Sequence, residues 1–248
     1  MARYPPQSYN VAFGPGGLSP AVKALLIANA AMFVAGILAP AIPALLGLHP
    51  NQVVEEFALW QPVTYMFLHA DVFHILFNML ALWMFGVELE RRWGTPFFVK
   101  YYAVTGVGAA LITVAVSLLP GMERSYYANT IGASGAIYGL LLAYGVSFPD
   151  RPIYLYFLFQ IPAKYFVMIV GAVAFFSSIS NQPGGVSHAA HLGGLVVGYL
   201  YLRWPRLPGL NPIAEIKYRY LRWKITRARK KFDVVSGGRS DDWDRKVH

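Results

Sequence analysis

The sequence predicts an all-α polytopic membrane protein, a bundle of six transmembrane helices. Composition is the first ground: of 248 residues, 56% are hydrophobic and only 13% charged, with a mean hydropathy of +0.43. A soluble domain carries charge on about 25% of its residues. Second, the apolar residues come in runs of roughly 17–25, the length that crosses a bilayer core and too long for strands. Third, charge is sorted along the chain, with 13 of the 21 Lys and Arg residues falling from Arg203 onward.

Span one is read over Val22–Ala39 and span two over Val72–Val87. Span three covers Pro96–Leu119, span four Gly132–Ser147, span five Ala163–Ser180 and span six Ser187–Tyr201. Residues 1–20, rich in Pro and Gly, read as a loop-like tail rather than a signal peptide. The domain organisation expected is therefore a tail over 1–20, a membrane domain over 21–203 and a basic tail over 204–248. Basic residues set the orientation. Arg91, Arg92 and Lys100 follow span two, Arg151 and Lys164 follow span four, and the basic tail follows span six. Opposite loops carry Glu55 and Glu56, Glu123 with Arg124, and no charge between Asn181 and His188. Both termini are expected in the cytoplasm.

The run Lys217–Lys231 interleaves Arg219, Arg222, Lys224, Arg227, Arg229 and Lys230 with Tyr218, Tyr220, Leu221, Trp223 and Ile225. Directly after a membrane span, that pattern fits a segment lying on anionic lipid headgroups, not one binding nucleic acid. The chain has no cysteine, which excludes disulfides and thiolate chemistry.

Spans two, four and six run in one direction, and each opens with its unusual polar residues. Asp71 is placed to cap span two, where His74 and Asn78 lie one turn apart on one face. Ser134 stands in the first turn of span four with Tyr138 four residues on, and His188 and His191 open span six. With a rise of about 1.5 Å per residue, all fall within roughly 10 Å of the outer helix ends. Gly135 with Gly139, and Gly194 with Gly198, form small-residue faces that let helix backbones approach closely in lipid.

Taken alone, a serine in a membrane helix is packing material or bonds to its own helix. Its setting points Ser134 elsewhere: a helix start, glycines Gly132 and Gly135 beside it, and a histidine at matching depth. His191 would accept the Ser134 proton and return it to a leaving amine. Unpaired N–H groups at the helix start, with His74 and Asn78, would face the developing oxyanion. No Asp or Glu lies within spans four or six, so a Ser–His dyad is the economical arrangement. Tyr138 either packs against the His191 ring or is ordinary core. His69 reads as a loop hydrogen-bonding residue, and His188 as the more water-exposed neighbour of the base.

Two other classes stay in view. One is a non-catalytic membrane protein that captures transmembrane helices. The other is a metal or haem carrier built on the histidines. The histidine spacings match no zinc-protease pattern and no carboxylate lies inside the bundle, so neither a metal nor a cofactor is expected. Gly-x-Ser-x-Gly is not matched either, since position 136 is Ala.

Over about Val22–Tyr201 the chain resembles the rhomboid intramembrane serine proteases. Gly132-Ala133-Ser134-Gly135 is similar to the family's Gly-x-Ser-Gly motif, and Ala190-His191-Leu192-Gly193-Gly194 to its Ala-His-x-x-Gly motif. His74-Ile75-Leu76-Phe77-Asn78 resembles its His-x-x-x-Asn pair, and Glu90-Arg91-Arg92-Trp93-Gly94 the polar end of its second helix. The resemblance implies a rhomboid-like bundle over 21–203, with Ser134 as nucleophile, His191 rather than His188 as base, and His74 and Asn78 at the oxyanion. It implies that substrates are transmembrane segments of other membrane proteins. It also implies an outer segment, Pro40–Trp60, that lies in the membrane interface, a lid over Ser180–Ser187 and a gate at span five. Trp60-Gln61 departs from the family's Trp-Arg, which leaves the anchoring of the first outer loop open. A bacterial inner membrane is the expected location.

Overall fold

The computed structural model describes residues 15–155, 159–179, 188–203 and 220–227. The chain divides into two compact units, Met1–Leu202 and Arg203–His248. In the second, residues 220–227 form a helix in which the Arg227 guanidinium stands 5.2 Å from the Trp223 ring centroid.

The first unit is built on helices. Three are long and apolar enough to cross a membrane: α1 (Pro20–Leu38), α2 (Val72–Trp93) and α3 (Thr95–Ser117). Three shorter helices accompany them, α4 (Ser134–Ser147), α5 (Ala163–Ile179) and α6 (His188–Arg203), the first two of them apolar. Asp71 caps α2, its carboxylate accepting the His74 backbone N–H at 2.8 Å. A π-helical turn at Leu82–Gly86 interrupts α2, and Gly94, at φ +80°, ends it and opens α3. That left-handed backbone favours glycine.

α3 packs along α4, and α5 closes on the other side of α4. Fully buried Phe98, Tyr101, Leu82, Leu89, Leu140 and Val22 fill the centre. Glu90, near the end of α2, is buried at 2% exposure. Its carboxylate accepts Ala21 N–H at 2.9 Å, Val22 N–H at 3.0 Å, Ser19 Oγ–H at 2.5 Å and Thr95 Oγ–H at 2.6 Å. One side chain thereby satisfies the open start of α1 and fixes it to the α2–α3 corner.

Two features depart from the sequence reading. Within a mostly helical chain, β1 (Pro152–Leu155) and β2 (Phe159–Pro162) form a short antiparallel hairpin between α4 and α5. The run Ile153-Tyr154-Leu155 is rich in strand-forming types, and prolines at 152 and 162 pair at its open end. The first outer loop is anchored although Arg is absent. Gln61 is buried, accepts His49 N–H at 2.9 Å and donates to Gln52 Oε1 at 2.6 Å, while Trp60 Nε1–H reaches Leu45 O at 3.0 Å. Leu45, Phe57 and Leu59 of this loop are exposed, whereas Leu48 is buried and pairs with Thr130. The segment expected to form a lid, 180–187, lies outside the described residues, as do 1–14 and most of the basic tail.

Removing the Glu90 carboxylate strands three buried donors and the half-buried Thr95 hydroxyl. Glu90→Ala is expected to cost about 3 kcal/mol of stability, and Glu90→Gln, which keeps one acceptor oxygen, less. Thermal unfolding of the detergent-solubilised protein measures both.

Candidate active site

Two antiparallel backbone bonds between Leu48 and Thr130, each 2.9 Å, hold the chain entering α4 against the first outer loop. Gly132 N–H then donates to Tyr65 O at 2.9 Å, and the Tyr65 hydroxyl donates to Gly106 O at 2.8 Å. This scaffold fixes the approach to Ser134, the first residue of α4. Gly132 sits at φ +126°, and a Cβ there would stand 2.8 Å from His74 Nε2 and 3.7 Å from Ser134 Oγ. Only glycine allows this backbone to lie so close to that imidazole.

α4 and α6 meet through their glycines. A Cβ on Gly194 would fall 1.9 Å from Gly135 O, and one on Gly198 would fall 3.2 Å from Gly139 Cα. The small-residue faces of the two helices are thus in backbone contact. That proximity carries His191 to Ser134, with Nε2 and Oγ 2.8 Å apart. Tyr138 lies parallel to the His191 ring, centroids 4.2 Å apart and planes 7° apart. Of the two possibilities for Tyr138, the structure has the stack. His188 stands edge-on to His191 at 6.2 Å between centroids.

His74 is oriented by its own helix entry. Ala70 N–H donates to His74 Nδ1 at 3.3 Å, so Nε2 carries the remaining proton and faces Gly132 and Ser134. Asn78, buried below it, donates one amide N–H to His74 O at 2.7 Å. One N–H of that amide is therefore committed to the helix backbone.

His69 departs from the reading of a loop hydrogen-bonding residue. It is buried, neither ring nitrogen has a hydrogen-bond partner among the described residues, and its ring stands edge-on to His74 at 5.0 Å. The ring lines a cavity of about 210 Å³ with Met32, Phe33, Ile37 and Leu68. Burial, followed by the neighbouring His74, pushes its pKa down to about 4, against a smaller opposing effect of Asp71. Among the described residues, no three His, Asp or Glu side chains converge to hold a metal ion.

A serine at a helix start thus stands within hydrogen-bond distance of a histidine across a glycine-packed interface among apolar helices of a membrane protein. A model of the rhomboid domain matches residues 56–205, and the chain belongs to the rhomboid family. It is 33% identical over 137 residues to Rhomboid protein 1, mitochondrial, of Saccharomyces cerevisiae, covering 54% of this chain and 38% of that protein. Identity to Rhomboid protease GluP of Bacillus subtilis is 30% over 155 residues, 62% of this chain and 27% of that one. Rhomboid protease AarA of Providencia stuartii is 30% identical over 156 residues, 57% of this chain and 54% of its own. The chain thus spans between about a quarter and just over half of the length of these relatives.

Two outcomes follow from the geometry. Gly194→Ala forces a methyl into the Gly135 carbonyl and is expected to cost at least about 2 kcal/mol. Gly171→Ala, whose Cβ would meet only Leu195 Cδ1 at 3.4 Å, should be near neutral by the same thermal measurement. Unfolded, the His69 imidazole takes its proton near the ordinary 6.5; folded, near 4. The unfolded chain therefore binds more protons, and His69's contribution, full above pH 6.5, drains away as pH falls toward 4. Unfolding midpoints measured from pH 7 to pH 4.5 should fall less steeply in His69→Phe than in the parent.

Proposed function

We propose that the protein is an intramembrane serine endopeptidase that cleaves transmembrane segments of other membrane proteins. The observation that supports this most is the 2.8 Å approach of His191 Nε2 to Ser134 Oγ, with Tyr138 stacked on the imidazole. Membership of the rhomboid family and the printed names of relatives such as Rhomboid protease GluP and Rhomboid protease AarA point the same way.

Ser134 Oγ attacks the substrate carbonyl carbon while its proton passes to the Nε2 lone pair of neutral His191. The carbonyl oxygen becomes an oxyanion facing the unpaired N–H groups at the start of α4. His74 Nε2–H and the second amide N–H of Asn78 complete the donors. Collapse of the tetrahedral species breaks the C–N bond, and His191 delivers its proton to the departing amine. Water then attacks the acyl-Ser134 ester, with His191 taking and returning a proton in the same way. The Tyr138 stack does the orienting that a carboxylate performs in a three-member triad. Gly132 and Gly135 act by permitting close approach, and no cofactor takes part.

This reading includes six spans, the shorter helices α4, α5 and α6 crossing a bilayer thinned or locally distorted to fit them. It places both termini in the cytoplasm and the basic tail on anionic headgroups of the inner leaflet. A bacterial inner membrane is the proposed site of action.

A fluorophosphonate probe is expected to label the detergent-solubilised protein at Ser134. Ser134→Ala and His191→Ala should each abolish labelling and cleavage of a transmembrane substrate, a loss of at least about 10³-fold. His188→Ala should keep both. Activity lost in His188→Ala and retained in His191→Ala would move the base, while full function in Ser134→Ala would mean a helix-binding protein with no chemistry.

A further inference from the structure

At the end of the bundle opposite Ser134, positive charge exceeds what the local acids neutralise. Arg91, Arg92, Lys100, Arg151 and Lys164 lie there with Glu88, Glu90 and Asp150. Glu90 is consumed by the α1 start, Asp150 pairs with Lys164 at 2.7 Å, and Glu88 pairs with Arg151. The Arg91 guanidinium is spent on the carbonyls of Pro15 and Gly17 at 2.5 and 2.6 Å, which leaves its charge in place. Among the described residues, Arg92 and Lys100 have no ion-pair partner.

Arg92 is not a loose surface charge. Its guanidinium carbon stands 5.1 Å from the Phe148 ring centroid, and that of Arg151 stands 5.3 Å from the same centroid. The ring belongs to the residue that ends α4, with Tyr144 tilted against it at 5.0 Å. Two cations resting on one phenyl ring sit no further apart than roughly 10 Å, close to a Debye length of about 8 Å, so they act on one anion together. Arg151 spends one N–H on Glu88, while Arg92 has no ion-pair partner among the described residues, which leaves its guanidinium donors open to an anion.

What surrounds these cations is apolar and aromatic. Trp93, next in sequence to Arg92, packs edge-on against Phe97 and Tyr101 at 5.1 Å each, and Tyr201 joins the group. Phe97 and Val99 are exposed beside Lys100. A Trp and Tyr cluster at the end of long apolar helices marks the headgroup level of a bilayer. We propose that Arg92 and Arg151, with Phe148 as their platform, form a binding site for the phosphate of an anionic phospholipid. Its acyl chains would lie along the exposed apolar surface of α3. A free phosphate would meet the same cations but gain nothing from that surface. The proposal rests on the membrane reading of the fold and is independent of the Ser134–His191 chemistry.

The test is native mass spectrometry of the full chain, released from phosphatidylcholine nanodiscs containing a minor fraction of phosphatidylglycerol. The parent is expected to retain phosphatidylglycerol over phosphatidylcholine. Arg92→Gln should weaken that retention about fivefold, the share of one interfacial arginine, while keeping the fluorophosphonate labelling of Ser134. Phe148→Leu, which keeps every charge and removes the platform, should weaken it by a smaller factor. Substituting Arg222, Lys224 and Arg227 by Gln in the tail helix should leave this retained lipid bound. Undiminished retention in both Arg92→Gln and Phe148→Leu would overturn the site. So would loss of the lipid only in the tail variant, or its displacement by millimolar inorganic phosphate. Failure of Ser134 labelling with lipid retention intact would count against the proposed protease alone.

Discussion

The closest contact on which the arrangement depends is backbone against backbone, between Gly135 of α4 and Gly194 of α6. In lipid, apolar side chains gain little by leaving the solvent for one another, so helices associate through packing and polar contacts. At this crossing the glycines remove the side chains, and the neighbouring residues inherit the proximity. Ser134 and His191 come within hydrogen-bond reach, Tyr138 lies flat on the imidazole, and the Tyr101 hydroxyl reaches Gly139 O at 2.8 Å. A methyl group at the crossing would push all of these apart together.

A second layer of constraint comes from the outer loop. Residues 127–133, which lead into Ser134, form no helix, yet they are tied on both sides, to Leu48 and to Tyr65. That tether is what holds Gly132 in a backbone conformation few residues tolerate and brings His74 against it. The loop and the helix start therefore behave as one element, although more than sixty residues separate Tyr65 from Gly132 in the chain. Among the described residues the polar interior leaves His69 unsatisfied, as it does Asn29 Oδ1 and the Tyr102 hydroxyl, and the His69 ring stands edge-on to His74.

Much of this was readable before any coordinates, for a physical reason. Polar residues in apolar runs are rare and stand out, so Ser134, His74, Asn78 and His191 announced themselves as a group at one depth. Glycines four apart advertised the helix faces that meet. The N-cap at Asp71 follows from local chemistry alone. What stayed hidden depends on partners distant in sequence. Nothing near Glu90 says that its carboxylate caps a helix that begins at Pro20. Gln61 looked like the loss of an anchor, yet amide-to-amide bonding with Gln52 and His49 supplies one. The hairpin at 152–162 is hard to read from sequence because its apolar run is short and its pairing partner lies across a turn. The shared ring beneath Arg92 and Arg151 joins residues on different helices, which one-dimensional periodicity does not reveal.

The seal at Glu90 has a bearing on how the chain is made. The amides of Ala21 and Val22 leave the ribosome well before their acceptor, which lies 69 and 68 residues further on. Thr95, another donor to that carboxylate, follows five residues after it. The earliest helix is therefore finished at its leading edge only after the second has been threaded and the third has begun. Until Glu90 has been made, the nascent chain carries α1 with an unfinished end.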